Sequence, residues 1–158
     1  MKALYERGVR PARAQYGALP WRRSQGLEIM LVSTRGTRRW ILPKGWPMKG
    51  RKPHAAAARE ALEEAGIVGK VGKEPIGVYR YIKRGKNGAT LPCEVTIFPL
   101  EVATERKNWL EKKERIRRWF SVPDAAQAVQ ESGLSEIIRE FGANETEIET
   151  NGSAVLQT

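Results

Sequence analysis

Apolar and polar positions divide this chain into short runs of alternating character, separated by clusters of Gly, Pro and basic residues. Residues 14–21 (AQYGALPW) and 27–34 (LEIMLVST) have the branched and aromatic content of strands, joined through the basic turn RRSQG. RWILP (39–43) predicts a short strand ending at Pro43, and KGWPMKGRKP (44–53) carries enough Gly and Pro to predict a loop. Two longer strands are predicted over 75–82 (PIGVYRYI) and 92–102 (PCEVTIFPLEV), flanking a basic hairpin loop, KRGKNGAT (83–90). ERIRRWFSV (114–122) predicts one more short strand.

The pattern turns helical at Pro53, a residue suited to a first helical turn, and Gly66 supplies the stop. Residues 123–142 predict one or two helices, with LSEIIREF amphipathic. Strands with two separated helical regions imply an α/β (α+β) fold, a mixed β-sheet sandwiched between α-helices. The expected organisation is a basic N-terminal arm over 1–12, a folded domain over 13–142 and a disordered acidic tail over 143–158.

The 158 residues suit one domain, and the 41% hydrophobic content is that of a soluble globular protein. No apolar run approaches the ~18 residues that span a bilayer. The first residues, MKALYERGVRPARAQ, lack the apolar core of a signal peptide. The lone Cys93 excludes an internal disulfide and reads as a buried strand residue, consistent with a reducing, cytoplasmic location. The net charge is +10; residues 143–158 hold three Glu and no Lys or Arg, which leaves +13 on the remainder. Such an excess points to anionic partners: polyphosphates, nucleic acid or an anionic membrane.

Against that charge, REALEEAG (59–66) gathers Glu60, Glu63 and Glu64. The i, i+3, i+4 spacing places them within an arc of about 100° on a helix, with Ala58, Ala61, Leu62 and Ala65 roughly opposite. Ala56 and Ala57 are expected one turn earlier on the acidic side, leaving room there. Clustered carboxylates, space and surrounding cations suit a hard divalent ion bridging to phosphate. His54 has no partner motif, Trp40 and Trp119 read as core, and no His/Cys zinc set is present. A G-x-x-x-x-G-K-[ST] phosphate loop is also absent.

Residues 45–67 resemble the Nudix box, G-x5-E-x7-R-E-U-x-E-E-x-G-U, where U is bulky and aliphatic. Gly45, Arg59, Glu60, Glu63, Glu64, Gly66 and Ile67 fall at the required positions, Ala61 occupies a U position, and Arg51 stands where the first Glu belongs. The resemblance implies the Nudix fold and a phosphohydrolase dependent on Mg²⁺ or Mn²⁺. It implies that Glu60 and Glu64 hold the metal with the backbone carbonyl of Lys44. Glu63 then joins the metal shell or acts as general base, and Arg59 orients the loop and the carboxylates. LVSTRGTRRWILPKGWPMKG and ERIRRWF further resemble the diphosphoinositol and diadenosine polyphosphate phosphohydrolases. By position this implies substrate contacts from Arg13, Ser33, Thr34, Arg35, Lys83, Arg84 and Arg115. Lys44, Lys49, Arg51 and Lys52 are expected to form a cationic lip beside the metal. A lysine expected near QESGLSE is missing, which favours a dinucleotide over an inositol substrate. The expected partner is a phosphate-rich small molecule; an RNA 5′-end pyrophosphohydrolase or a silent nucleotide- or RNA-binding module are the alternatives, and no membrane is implied.

Overall fold

Alternation along the strands sorts their side chains onto two faces, and each face has a helical cover. The computed structural model describes residues 11–156, with side chains in the last helix as far as residue 146. The expected arm over 1–12 therefore lies outside the described residues but for its last two. Eight strands form one mixed sheet: β1 (Arg13–Arg23), β2 (Leu27–Ser33), β3 (Trp40–Ile41), β4 (Lys44–Gly45), β5 (Ile67–Val71), β6 (Gly77–Arg84), β7 (Thr90–Glu105) and β8 (Arg117–Ser121). The central pair, β1 and β7, is parallel; β2 and β4 join β1 antiparallel, β5 and β6 join β7 antiparallel, and β3 and β8 join β2 antiparallel.

Among the described residues the α-helices are α1 (Pro53–Ala65), α2 (Val122–Ala128) and α3 (Ser132–Leu156). On β2, Ile29 and Leu31 face the α2–α3 layer with Leu134, Ile138 and Phe141, while Met30 and Val32 face the α1 layer. Val95 and Ile97 against Phe98 and Leu100 on β7 repeat the division. A strand covered on both faces reads as an unbroken apolar run, which is why IMLV is legible without alternation. Among the described residues no helix is long and apolar enough to cross a membrane.

α1 docks through Ala57, Ala61 and Ala65, small residues at i, i+4 and i+8 that let its backbone approach Phe98 and Leu100. Ala57, expected to leave room on the acidic side, is instead packed into the core there. Seven residues on, at nearly the same helical angle, Glu64 is carried to the edge of the core and is only 4% exposed. The helix ends where Gly66 takes the left-handed conformation (φ 66°, ψ 31°) and its N–H returns to Leu62 O.

Three elements differ from the sequence reading. Lys44–Gly45 is a short strand within the predicted loop, created by pairing with β1. β5 was not predicted because its central glycine and alternating exposure leave Ile67 its single fully buried side chain. α3 continues helical through 143–156, where a disordered tail was expected; a helix nucleated on the core propagates at little cost per added residue.

Gly66 has a second constraint besides its φ: a Cβ there would lie 2.7 Å from the Trp109 ring. Gly36 also has positive φ (80°) but has nothing within 4 Å of such a Cβ. Both Gly→Ala changes therefore cost the left-handed strain of about 1 kcal/mol, and Gly66→Ala adds displacement of Trp109. Urea denaturation should show Gly66→Ala clearly the more destabilised; equal losses would remove the ring contact as a constraint.

Candidate active site

A cleft of about 1000 Å³ opens where α1, the ends of β4 and β6, and three connecting segments meet. α1 contributes Glu60 and Glu64, β4 contributes Lys44 and Gly45, and Trp46 follows. Tyr81 to Arg84 line it from β6, Thr34, Arg35, Thr37 and Arg39 from the β2–β3 turn, and Glu111 and Arg115 from the segment before β8. Gln130 and Glu131 enter from the α2–α3 junction, and Gln15 from β1. β4 holds this arrangement in register by pairing Gly45 with Tyr16 and Lys44 with Gly17. A Cβ on Gly45 would collide with the Glu60 carboxyl group, so the glycine is needed for close approach of the acid.

Glu64 is the most constrained polar group in the cleft. Its Oε1 is buried without a hydrogen-bond partner among the described residues, and Arg115 Nη2 stands 3.8 Å away. Burial pushes the Glu64 carboxyl up to about 9 against the opposing charge of Arg115, and the neighbouring Glu60 carboxyl reinforces the rise. Burial likewise raises Glu60, opposed by its hydrogen bond with Glu64. A buried and a half-buried acid on successive turns, with an unpaired oxygen on the buried one, fit a divalent cation, whose charge would reverse the burial penalty. No set of three His, Cys, Asp or Glu side chains converges among the described residues. Glu63, expected as a third carboxylate, is outside the cleft lining, with Arg59 Nε 3.4 Å from its Oε1. Two carboxylates are nevertheless sufficient for Mg²⁺, which keeps several waters and takes further ligands from substrate phosphate.

The cations are organised by acids. Arg115 donates from Nε to Glu111 Oε1 (2.8 Å) and from Nη1 to the Ser33 carbonyl (3.1 Å). Arg35 Nη2 reaches the same Glu111 oxygen at 2.7 Å and Glu114 at 3.2 Å. Burial pushes Glu111 up, but its hydrogen bonds and charge contacts with Arg35 and Arg115 outweigh that and hold it below the usual carboxylate range. Lys44 lies with Nζ 4.7 Å from the Tyr81 ring centroid, its pKa lowered by burial and supported by the charge of Glu64. Trp46 is flanked by Arg13 (5.1 Å) and Lys83 (5.3 Å).

Of the expected site residues, Thr34, Arg35, Lys44, Glu60, Glu64, Lys83, Arg84 and Arg115 line the one cleft. Arg13, Ser33, Arg51, Arg59 and Glu63 do not, nor do Lys49 and Lys52 of the expected lip. Ser33 is 2% exposed; its hydroxyl accepts from Ile116 N (2.9 Å) and its carbonyl anchors Arg115. Sequence reasoning missed Gln15, Arg39, Tyr81, Gln130 and Glu131. A polar Gln15 inside an otherwise apolar strand is the one signal that was available.

The segment between β7 and β8 is fixed by the end of α1. Carbonyls in the last turn of a helix have no intrahelical partner, and here each finds one in that segment or at the start of β8. Glu111 N donates to Glu63 O (3.0 Å), Trp109 Nε1 to Glu64 O (3.0 Å), and Arg117 Nη1 to Ala65 O (2.9 Å). Arg106 N adds a bond to Gly66 O (2.7 Å). The helix that carries the acids thereby also places Glu111 and Arg115.

The mixed sheet between helices and the acid pair on α1 are those of a NUDIX domain, and the NUDIX family model matches residues 12–141. The chain belongs to this family. It is 32% identical over 120 residues to Nudix hydrolase 12, mitochondrial, of Arabidopsis thaliana, covering 73% of this chain and 58% of that protein. It is 34% identical over 106 residues to diphosphoinositol polyphosphate phosphohydrolase 3-alpha of Mus musculus, covering 65% of this chain and 60% of that protein. The chain thus spans well under two thirds of the length of either curated relative. In fold it is similar to a C. elegans Ap4A hydrolase solved as a binary complex (TM-score 0.65, 19% identity, 86% of this chain and 99% of that one). It is also similar to the NUDIX domain of Shewanella oneidensis NrtR complexed with ADP ribose (TM-score 0.61, 16% identity, 92% and 98%).

The Glu64 shift gives a testable pH dependence. The folded protein retains the Glu64 proton up to about 9, whereas the unfolded chain releases it near 4.5. Between those values the native state binds more protons, so its stability falls as pH rises. Metal-free protein should therefore lose stability across this window, and the Glu64→Gln protein, which cannot ionise there, should lose less. Parallel profiles for the two proteins would place the shift elsewhere.

Proposed function

We propose that this chain is a metal-dependent phosphohydrolase that cleaves a phosphoanhydride bond in a phosphate-rich small molecule, a dinucleoside polyphosphate or an inositol pyrophosphate. The observation that carries the reading is the meeting, in one cleft, of the Glu60–Glu64 pair with Arg35, Lys44, Lys83, Arg84 and Arg115. The relatives' names and the fold of the Ap4A hydrolase are consistent with it.

In this reading Glu60 and Glu64 hold Mg²⁺ or Mn²⁺ with help from the Lys44 carbonyl. The cation supplies charge neutralisation on phosphoryl oxygens and makes a water more acidic. Arg35 and Arg115 bind substrate phosphate, presented in fixed directions by Glu111 and the Ser33 carbonyl. Lys83 and Arg84 extend the cationic wall, with Trp46 and Arg13 at its edge. Water attacks phosphorus, the anhydride P–O bond breaks, and the leaving phosphate departs as an anion. Glu63 is the acid we propose to take the water's proton, because Glu111 is engaged by two guanidinium groups and Glu60 and Glu64 would hold the cation. From its place outside the cleft lining it would have to be reached over the edge of α1. Arg59 orients Glu63 through their ion pair. Arg51, Lys49 and Lys52, exposed and outside the cleft lining, favour a second reading in which a longer polyanion such as an RNA 5′ end is the substrate.

Glu63→Gln should lower kcat by ~100-fold or more, the lower range for loss of a general base. Glu111→Gln should instead act mainly on KM, by freeing Arg35 and Arg115. A Glu63→Gln protein with full kcat would transfer the proton to Glu111 or another group.

Substrate size separates the readings further. Gathering these cations is unfavourable unless an anion compensates them, so kcat/KM should rise with phosphate count and lie well above that for ADP-ribose. Replacing Arg35 or Arg115 with Ala should weaken binding by about 1.5–3 kcal/mol, the value typical of charge-assisted hydrogen bonds. ADP-ribose as best substrate would end the polyphosphate assignment, and preference for 5′-triphosphorylated RNA would establish the second reading.

A further inference from the structure

The Lys44 side chain stands apart from the other cations of the cleft. Arg35 and Arg115 are held by Glu111. Among the described residues Lys44 Nζ has neither an ion pair nor a hydrogen bond; it lies instead 4.7 Å from the centroid of the Tyr81 ring. Burial works against an ammonium group in that place, and so does repulsion from Lys83 and Arg115, while Glu64 and Glu131 supply the opposing charge. A long, flexible side chain under such repulsion needs a further contact to stay inside the cleft.

The ring that provides this contact is itself fixed. Tyr81, on β6, donates from its hydroxyl to Gln15 Oε1 on β1 at 2.6 Å, across the intervening strand β7. Its neighbour on β7 is Cys93, whose small, fully buried side chain leaves the ring room to cross. Burial raises the phenol above its ordinary value, so it remains a donor at neutral pH. Gln15 is 2% exposed, and a buried amide without a partner is costly. Its bond to Tyr81 supplies the partner and gives the ring a fixed direction. Lys44 is rooted close by, paired with Gly17 two residues along β1. A Cβ on Gly17 would lie 3.2 Å from Pro43 O and 3.3 Å from Lys44 Cβ, so the missing side chain lets Lys44 sit against the sheet.

A cation over an aromatic face is attracted by the ring quadrupole, most strongly where water is excluded. Fixing the ring therefore fixes the ammonium group. We propose that Tyr81, oriented by Gln15, is a positioning residue that holds the Lys44 ammonium inside the cleft as a contact for a substrate phosphate. Tyr81 acts through Lys44, and Gln15 acts through Tyr81. The proposal rests on the phosphohydrolase reading for turnover only, because the anion contact is measurable without it.

The test is a double-mutant cycle between Tyr81→Leu and Lys44→Met, the latter keeping the backbone carbonyl at that position. Calorimetry measures the affinity for tripolyphosphate after removal of metal, so that the chain's own cations hold the anion. Lys44→Met should weaken binding about tenfold or more, the loss of a charge-assisted hydrogen bond. Tyr81→Leu should weaken it about three- to tenfold, the range of a cation–π contact. The double variant should bind no more weakly than Lys44→Met, because Tyr81 has nothing left to position. Tyr81→Phe keeps the ring, loses the bond to Gln15, and should fall between wild type and Tyr81→Leu. If Tyr81→Leu does not fold, Tyr81→Phe takes its place in the cycle. Losses that multiply in the double variant, as a merely structural Tyr81 would give, overturn the proposal, and so does an unchanged affinity in Lys44→Met. With Mg²⁺ and diadenosine tetraphosphate the same pattern should appear in kcat/KM. If wild type shows no turnover, the phosphohydrolase reading fails while the calorimetric cycle still decides the role of Tyr81.

Discussion

A carboxylate held at the margin of a hydrophobic core is the constraint around which this structure is arranged. Glu64 shares its helical direction with Ala57, and Ala57 packs into the core, so docking α1 buries Glu64 as a geometric consequence. Leaving its oxygen unpaired costs on the order of 1–3 kcal/mol, and nothing in the fold removes that cost. Gly45 gives Glu60 room beside it, and Arg115 is kept at 3.8 Å, too far for a tight ion pair. The site is thus left short of positive charge at the point where the proposed cation would sit.

The same helix organises the opposite wall. Because the carbonyls of Glu63, Glu64, Ala65 and Gly66 are taken by Glu111 N, Trp109, Arg117 and Arg106 N, the acids and the Arg115–Glu111–Arg35 group are anchored to the same helix end. Gly66 serves both halves: its left-handed backbone ends the helix, and its missing Cβ leaves space for the Trp109 ring. A surface ion pair alone would hold Arg35 weakly. Here Glu111 is fixed by its own backbone, so Arg35 is drawn to a defined place even though its side chain is largely exposed.

What was legible in the sequence was local. The apolar runs of β1, β2 and β7 and the Pro53-to-Gly66 helix follow from composition and period, and the glutamate spacing put Glu60 and Glu64 together before any fold was known. Ala57 was expected to leave open room beside the acids because a helical angle alone does not say where the core lies. β4 depends on a partner in β1, and a two-residue strand has no pattern of its own. Ser33 and Glu131 were misjudged or unseen for a related reason. The role of Ser33 comes from a carbonyl and from Ile116, 83 positions away, and Glu131 reaches the cleft only through the packing of α2 and α3 on the sheet.

The central claim is that Glu60 and Glu64 form the cation site. It is tested most directly by crystals soaked with Mn²⁺ and measured at the manganese absorption edge, with the Glu64→Gln protein treated identically. The account predicts an anomalous peak against the Glu60 and Glu64 carboxylates that is lost or greatly weakened in the variant. A peak elsewhere, or one that survives unchanged in Glu64→Gln, would contradict it.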